Sequence, residues 1–174
     1  TSRLTDSPCR WNILAQQVMM ARVDRTPGKE RNFSMDQWAG YDLPRTRLLQ
    51  FLHDRQVSNP VVLTGDIHKN WVNDLKINFD RPELPTVATE FVGTSITSGG
   101  DGMEKTPDHA GVVAENPFVR FYNGERGYVQ CTVTPKEWRS DYLVVPYVTR
   151  PGAPLVRRAQ FTVQNGQPGA ARTG

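Results

Sequence analysis

The stretch Val61-Val62-Leu63-Thr64-Gly65-Asp66-Ile67-His68-Lys69-Asn70-Trp71 decides how the rest of the chain is read. Its first three residues are apolar and two are β-branched, which reads as a short strand buried on both faces. Gly65 ends it with a residue free to adopt positive φ or to let a ligand approach the backbone. A carboxylate and an imidazole follow, one residue apart. In α/β sheets, ligands gather at the carboxyl ends of strands. Asp66 offers a hard anionic oxygen and His68 a borderline nitrogen, a pair suited to a transition metal with a harder ion nearby. A backbone extended through Ile67 would send both side chains to the same side. The plainer reading has Asp66 closing a turn and His68 as a hydrogen-bonded loop histidine.

Working upstream, residues 41–56 read as a helix. Leu48, Leu49 and Leu52 supply one apolar face, Pro44 suits a first turn, and Asn59-Pro60 is the stop signal. Helix followed by buried strand signals a mixed α/β layer structure. Trp11 to Val23 (WNILAQQVMMARV) reads as a buried strand running into a loop, and residues 24–36 as a solvated loop. Asn32-Phe33-Ser34 fits a glycosylation acceptor pattern, for which chance is the better account. Downstream, the chain turns strand-rich after residue 70. Strands are expected over 72–79, with Leu75, Ile77 and Phe79 on one face, and over 86–92, 120–122, 127–133, 138–148 and 159–163. Pro135-Lys136-Glu137 makes a hairpin turn. Residues 97–111 read as a polar Gly-rich loop. The end of the chain, residues 166–174, reads as a frayed tail.

The 174 residues suffice for one domain with a real core. A hydrophobic fraction of 37% excludes wholesale disorder, yet is modest for a globule that buries all its surface alone. The net charge of +3 is too mild for a nucleic-acid binder. No apolar run approaches the roughly 20 residues that span a bilayer. The two cysteines, Cys9 and Cys131, lack metal or redox spacing. They would either pair in an oxidising compartment or stay as free thiols. The chain opens on Thr1 without an initiator methionine or signal peptide, so a processed product or one piece of a longer protein is expected.

Five segments occur in order: Trp11-Asn12-Ile13-Leu14-Ala15-Gln16-Gln17, Asp36-Gln37-Trp38-Ala39-Gly40-Tyr41, Leu63-Thr64-Gly65-Asp66-Ile67-His68, Glu90-Phe91-Val92-Gly93-Thr94-Ser95-Ile96 and Arg126-Gly127-Tyr128. Their order and spacing resemble the carboxyl-terminal part of PhoD-type alkaline phosphatases. That family lies within the metallophosphoesterases and includes phosphodiesterases with phospholipase D activity. The likeness runs from about residue 4 to residue 145. It implies an α/β fold, the carboxyl-terminal half of a two-sheet α/β sandwich with metals at the strand ends. It implies that Asp66 and His68 are metal ligands of the catalytic centre, that the metals are iron and calcium, with other divalent ions left open, and that the protein is secreted or otherwise extracytoplasmic.

The family's other ligands lie in motifs that this sequence lacks, and Cys9 does not stand where the ligand cysteine would. A two-metal phosphoesterase needs roughly five to eight protein donors, and Asp66 and His68 are two. Residues 1–165 are therefore expected to be the carboxyl-terminal portion of one catalytic domain. Its partner would be the amino-terminal part of the same enzyme, as a separate chain or a segment this sequence does not include. The 174 residues alone should be inactive. Asn70, Trp71, Thr94 and Ser95 are candidates for contact with substrate or support of the metals, with packing as the alternative for Trp71. Arg45 and Arg126 are candidate phosphate clamps, with surface solvation as the default. His53 is expected to be partly exposed on the helix, and His109 to lie in the Gly-rich loop. The resemblance implies a phosphate mono- or diester as substrate. A phospholipase D-type diesterase is the alternative, and only a phospholipid substrate would bring the protein to a membrane surface. A non-catalytic β-rich accessory module is the reading from a different class.

Overall fold

Val61 and Val62 are adjacent, point to opposite faces of a strand, and have no solvent access. A computed structural model of the chain, describing residues 2–107 and 109–174, shows what covers them. They lie in β2 (Pro60–Thr64). This strand pairs in parallel with β1 (Asn12–Ala15) on one side and β4 (Ala88–Val92) on the other. β3 (Asn70–Leu75) runs antiparallel between β4 and β6 (Val119–Val133). The order continues antiparallel through β7 (Glu137–Val145), β8 (Val156–Gln164) and β9 (Gln167–Arg172), with β5 (Gly102–Met103) set against β6. Two further short helices are α1 (Ser2–Thr5) and α3 (His109–Glu115). The fold is thus a mixed, sheet-rich α/β structure. The Gly-rich stretch expected as plain loop holds β5 and the start of α3, and its Asp108 lies outside the described residues.

One face of the central strands is covered by α2 (Asp42–Asp54), whose Leu49 and Leu52 pack with Val62, Val92, Met20 and Leu75. Pro44 sits in the first turn of α2, where its missing N–H costs no intrahelical bond. The helix ends before Asn59-Pro60. Gln56 at φ 47 donates to the His53 carbonyl and Val57 to the Leu52 carbonyl, which closes the end as a Schellman motif without the usual glycine. Arg45 is buried rather than solvated. It lies 5.2 Å over the Phe79 ring and binds Asp42 and the Trp38 carbonyl.

The opposite face is covered by the chain itself. β6 is one 15-residue strand where two were expected. Its first half pairs with β3 and its second half with β7. Gly127 makes this continuity feasible: a Cβ there would lie 2.0 Å from the Leu143 carbonyl oxygen. β7 and β8 bring Trp138, Tyr142, Phe161 and Val163 against Val61, Val72, Phe91 and Phe121. The Tyr142 hydroxyl donates to the Trp71 carbonyl at 2.6 Å, tying the two parts together inside the core. Residues 166–174 do not form a frayed tail. Asn165-Gly166 turns the chain, with Gly166 at φ 78, and β9 pairs with β8. From there Ala170 donates to Asp74 and Gly169 to the Thr89 hydroxyl, both at 3.1 Å.

Two upstream strand expectations were too long, whereas β8 outruns the expected 159–163 at both ends. β1 covers only Asn12 to Ala15, and Met19 to Val23 is buried irregular chain. β3 stops at Leu75, leaving Phe79 to pack on Phe118 at 4.7 Å. The irregular segment needs a partner for its buried N–H groups, and Glu90 in β4 supplies it. The fully buried Glu90 carboxylate accepts from the backbone of Met20 and Ala21 and from Asn73.

Burial pushes the Glu90 carboxyl up to about 7, against the pull of these three donors. The unfolded chain releases that proton near pH 4.5, whereas the folded protein holds it to about 7. The stability it lends is complete below the unfolded value and is lost as pH rises through the folded one. Across that window the loss is roughly 3 kcal/mol. Glu90→Gln, which cannot titrate, is expected to flatten this slope in urea midpoints measured from mildly acidic to mildly alkaline pH.

Candidate functional site

β1, β2 and β4 run in parallel, so their carboxyl ends meet at one edge of the sheet. The connections that follow them are stitched together there. The Gly65 N–H donates to the Gln17 carbonyl at 3.1 Å, and the Gly93 N–H to the Thr64 carbonyl at 2.9 Å. Beyond Gly65 the chain does not stay extended. The Ile67 N–H bonds back to the Gly65 carbonyl at 2.9 Å around Asp66 at φ 72, and His68 follows at φ 51. Two left-handed non-glycine residues in three positions cost about 1–3 kcal/mol each, and such strain concentrates at functional sites. The same-side argument from an extended strand is therefore replaced by a tight turn. Ile67 anchors that turn in the helix-side core, while Asp66 and His68 on either side of it are exposed.

Neither the Asp66 nor the His68 side chain has a hydrogen-bond or ion-pair partner among the described residues. Together they present a carboxylate oxygen and an imidazole nitrogen to open space, which matches a transition-metal site in kind. They fall short in number. Among the described residues no group of three or more His, Cys, Asp or Glu side chains could hold an ion. Asp66 and His68 are thus two donors, with no third His, Cys, Asp or Glu side chain grouped with them among the described residues.

The neighbouring candidates support this turn. Asn70 is fully buried. Its amide donates to Asn123 at 3.1 Å and to the Glu125 carbonyl at 3.4 Å, and its oxygen accepts the Thr94 N–H at 3.1 Å. Asn123 in turn donates to Glu125 at 2.8 Å, and Arg158 grips both oxygens of Glu125. Asn70 thus joins the β2–β3 turn to the segment after β4 and to β6. Trp71 is buried edge-on against Tyr122, with ring centroids 4.3 Å apart. Its indole N–H and the Thr94 hydroxyl are buried without a hydrogen-bond partner among the described residues. The Ser95 hydroxyl donates to the Ser98 carbonyl at 2.7 Å, so it is committed to its own loop.

Arg126 lies beneath the turn, only 6% exposed, and is no solvated surface group. Its guanidinium donates to the carbonyls of His68, Gly99, Gly100 and Gly124, at 2.8, 3.1, 2.8 and 3.1 Å. With four N–H groups engaged it is not available as a phosphate clamp. The sequence signal for this role was the run of glycines at 99, 100 and 102, a backbone dense enough to wrap a guanidinium. His109 stacks on Tyr122 at 5.0 Å, and burial lowers its pKa first, with Lys105 adding to the effect. His53 is exposed on α2. Cys9 and Cys131 are both free and exposed, so no disulfide joins them.

This geometry can be set beside known proteins. A family model described as PhoD-like phosphatase matches residues 1–142. Alkaline phosphatase D of Bacillus subtilis (strain 168) is 44% identical over 168 residues, covering 97% of this chain and 29% of that protein. A solved structure of PhoD superposes with a TM-score of 0.94 at 42% identity, covering 99% of this chain and 33% of that one. The chain therefore spans less than a third of the curated relative's length.

The stitching role of Asn70 is open to direct measurement. Asn70→Ala removes the acceptor for the Thr94 N–H and the donor to Asn123. Stability is expected to fall by about 3 kcal/mol in equilibrium urea unfolding.

Proposed function

The chain belongs to the PhoD-like phosphatase family, and on that premise we propose that it supplies part of the active site of a metal-dependent phosphoric ester hydrolase. Asp66 and His68 are the metal ligands it contributes. The observation that carries this reading is the strained turn after β2. Two non-glycine residues are held left-handed at the carboxyl edge, with their donor atoms unpaired and outward. A protein that used Asp66 only to close a turn would pair that carboxylate with a nearby N–H.

Iron and calcium are the proposed metals, with the carboxylate serving the harder ion and the imidazole the softer one. When bound, they would supply Lewis-acid polarisation of the phosphoryl group. The remaining residues hold the donors in place. Ile67 roots the turn, Asn70 binds it to the Thr94 segment, and Trp71 fills the core beneath. Asn70, Trp71, Thr94 and Ser95 are thus proposed as supports of the metals rather than as groups that touch substrate.

The remaining donors are proposed to come from the amino-terminal part of the same enzyme. β1 ends the strand order, and Ile13 in it is 50% exposed. Met35, Tyr41 and Leu43 are also open to solvent. Such an edge invites a further strand and cover. In this reading the chain is the carboxyl-terminal half of a two-sheet metallophosphoesterase sandwich. A phosphate mono- or diester is the substrate and the location is extracytoplasmic. No helix among the described residues is long and apolar enough to cross a membrane.

The decisive experiment uses an intact enzyme containing this sequence. His68→Ala is expected to reduce bound iron in elemental analysis and to lower turnover of chromogenic phosphate mono- and diesters by about a hundredfold or more. Unchanged metal content with unchanged turnover would sink the ligand assignment. The purified 174-residue chain should show no turnover of the same substrates, and measurable hydrolysis by it would contradict the shared site.

A further inference from the structure

We propose that Arg126 is a positioning residue of the site: by gripping the His68 carbonyl from below, its buried guanidinium holds the imidazole where the metal is to be bound. The inference rests on the reading of Asp66 and His68 as ligands. It concerns what fixes them, which the ligand pattern alone does not reveal.

Three segments converge on this one side chain. His68 belongs to the β2–β3 turn, Gly99 and Gly100 to the loop after β4, and Gly124 to β6, the strand that also carries Arg126. A guanidinium presents five N–H groups in a rigid plane, so it can serve carbonyls on different segments at once. A lysine offers three donors from a single point and cannot span the same set. Among the described residues no carboxylate pairs with Arg126. Its charge is met wholly by backbone dipoles, so its bonds are charge-assisted and directional.

The glycines around it are shaped to the same end. Gly99 has φ +86, and a Cβ there would lie 2.9 Å from Arg126 Nη2 and 3.8 Å from His68 Nδ1. The imidazole and the guanidinium therefore flank one bare backbone position. Left-handed His68 turns its carbonyl inward to Arg126, while its side chain stays exposed. Releasing that carbonyl would free the peptide to rotate and the ring to leave its place. Partners that orient a metal-binding histidine typically carry about 10- to 100-fold in metal affinity.

The test uses the intact enzyme stripped of metal and titrated with Mn2+, with free ion followed by electron paramagnetic resonance. His68→Ala, Arg126→Gln, Arg126→Lys and Phe161→Leu are compared with the parent, each with its thermal midpoint. Phe161 is buried in the opposite core and serves as a control for lost stability. Arg126→Gln is expected to weaken Mn2+ binding by about tenfold or more, Arg126→Lys to restore little of it, and Phe161→Leu to leave it within about twofold at a similar midpoint. If His68→Ala loses Mn2+ while Arg126→Gln retains the parent affinity, the positioning role is wrong and the ligand reading stands. If Phe161→Leu weakens binding as much as Arg126→Gln, Arg126 is only structural and the proposal falls. If His68→Ala binds as the parent does, the ligand reading falls and takes this proposal with it.

Discussion

A strand apolar on both faces must be covered on both faces, and β2 imposes that demand on the whole chain. Val61 and Val62 cannot be satisfied by a helix alone or a hairpin alone. The helix-side cover comes from α2 and the irregular segment around Met20, and Glu90 pins that segment through two backbone N–H groups. The other cover comes from β7 and β8, delivered by the second half of β6. With both faces closed, the carboxyl end of β2 is left to emerge at the sheet edge, where the turn carrying Asp66 and His68 is exposed. The site's position follows from the burial of two valines.

Some of this was legible in the residues. Leu48, Leu49 and Leu52 announced α2, and the three apolar residues after Pro60 announced β2. Pro135-Lys136-Glu137 announced the turn between β6 and β7. Each is a local pattern whose cause lies within a few residues. Asp66 and His68 stood out as a pair of residues, but their left-handed turn did not, because Asp and His tolerate positive φ without requiring it. The partner that grips the turn, Arg126, reaches the His68 carbonyl from β6, far along the chain.

The misses have the same root. Arg126 and Arg45 looked solvated because a guanidinium ordinarily is, and the carbonyls or the ring that accept them are distant or unremarkable in sequence. β9 was hidden by its small and polar residues, although Asn165-Gly166 after a strand was a hairpin signal in plain view. Its anchors are Asp74 and the Thr89 hydroxyl, far back in the chain. Composition described the segment's freedom when unfolded, whereas long-range partners decided its folded state.

The continuity of β6 carries a consequence for how this region can change over evolutionary time. Its 15 residues run about 50 Å end to end. They pair first with β3 and then with β7, and Arg126 opens the second stretch. A strand shared in this way behaves as a fixed ruler. Loss or gain of one residue between Tyr122 and Arg126 would turn the guanidinium to the opposite face. The hairpin beyond would either slip its register or drag its aromatic residues off Val61 and Phe91. Point substitutions can drift along β6, but its length cannot, so insertions and deletions should collect in the loops that flank it.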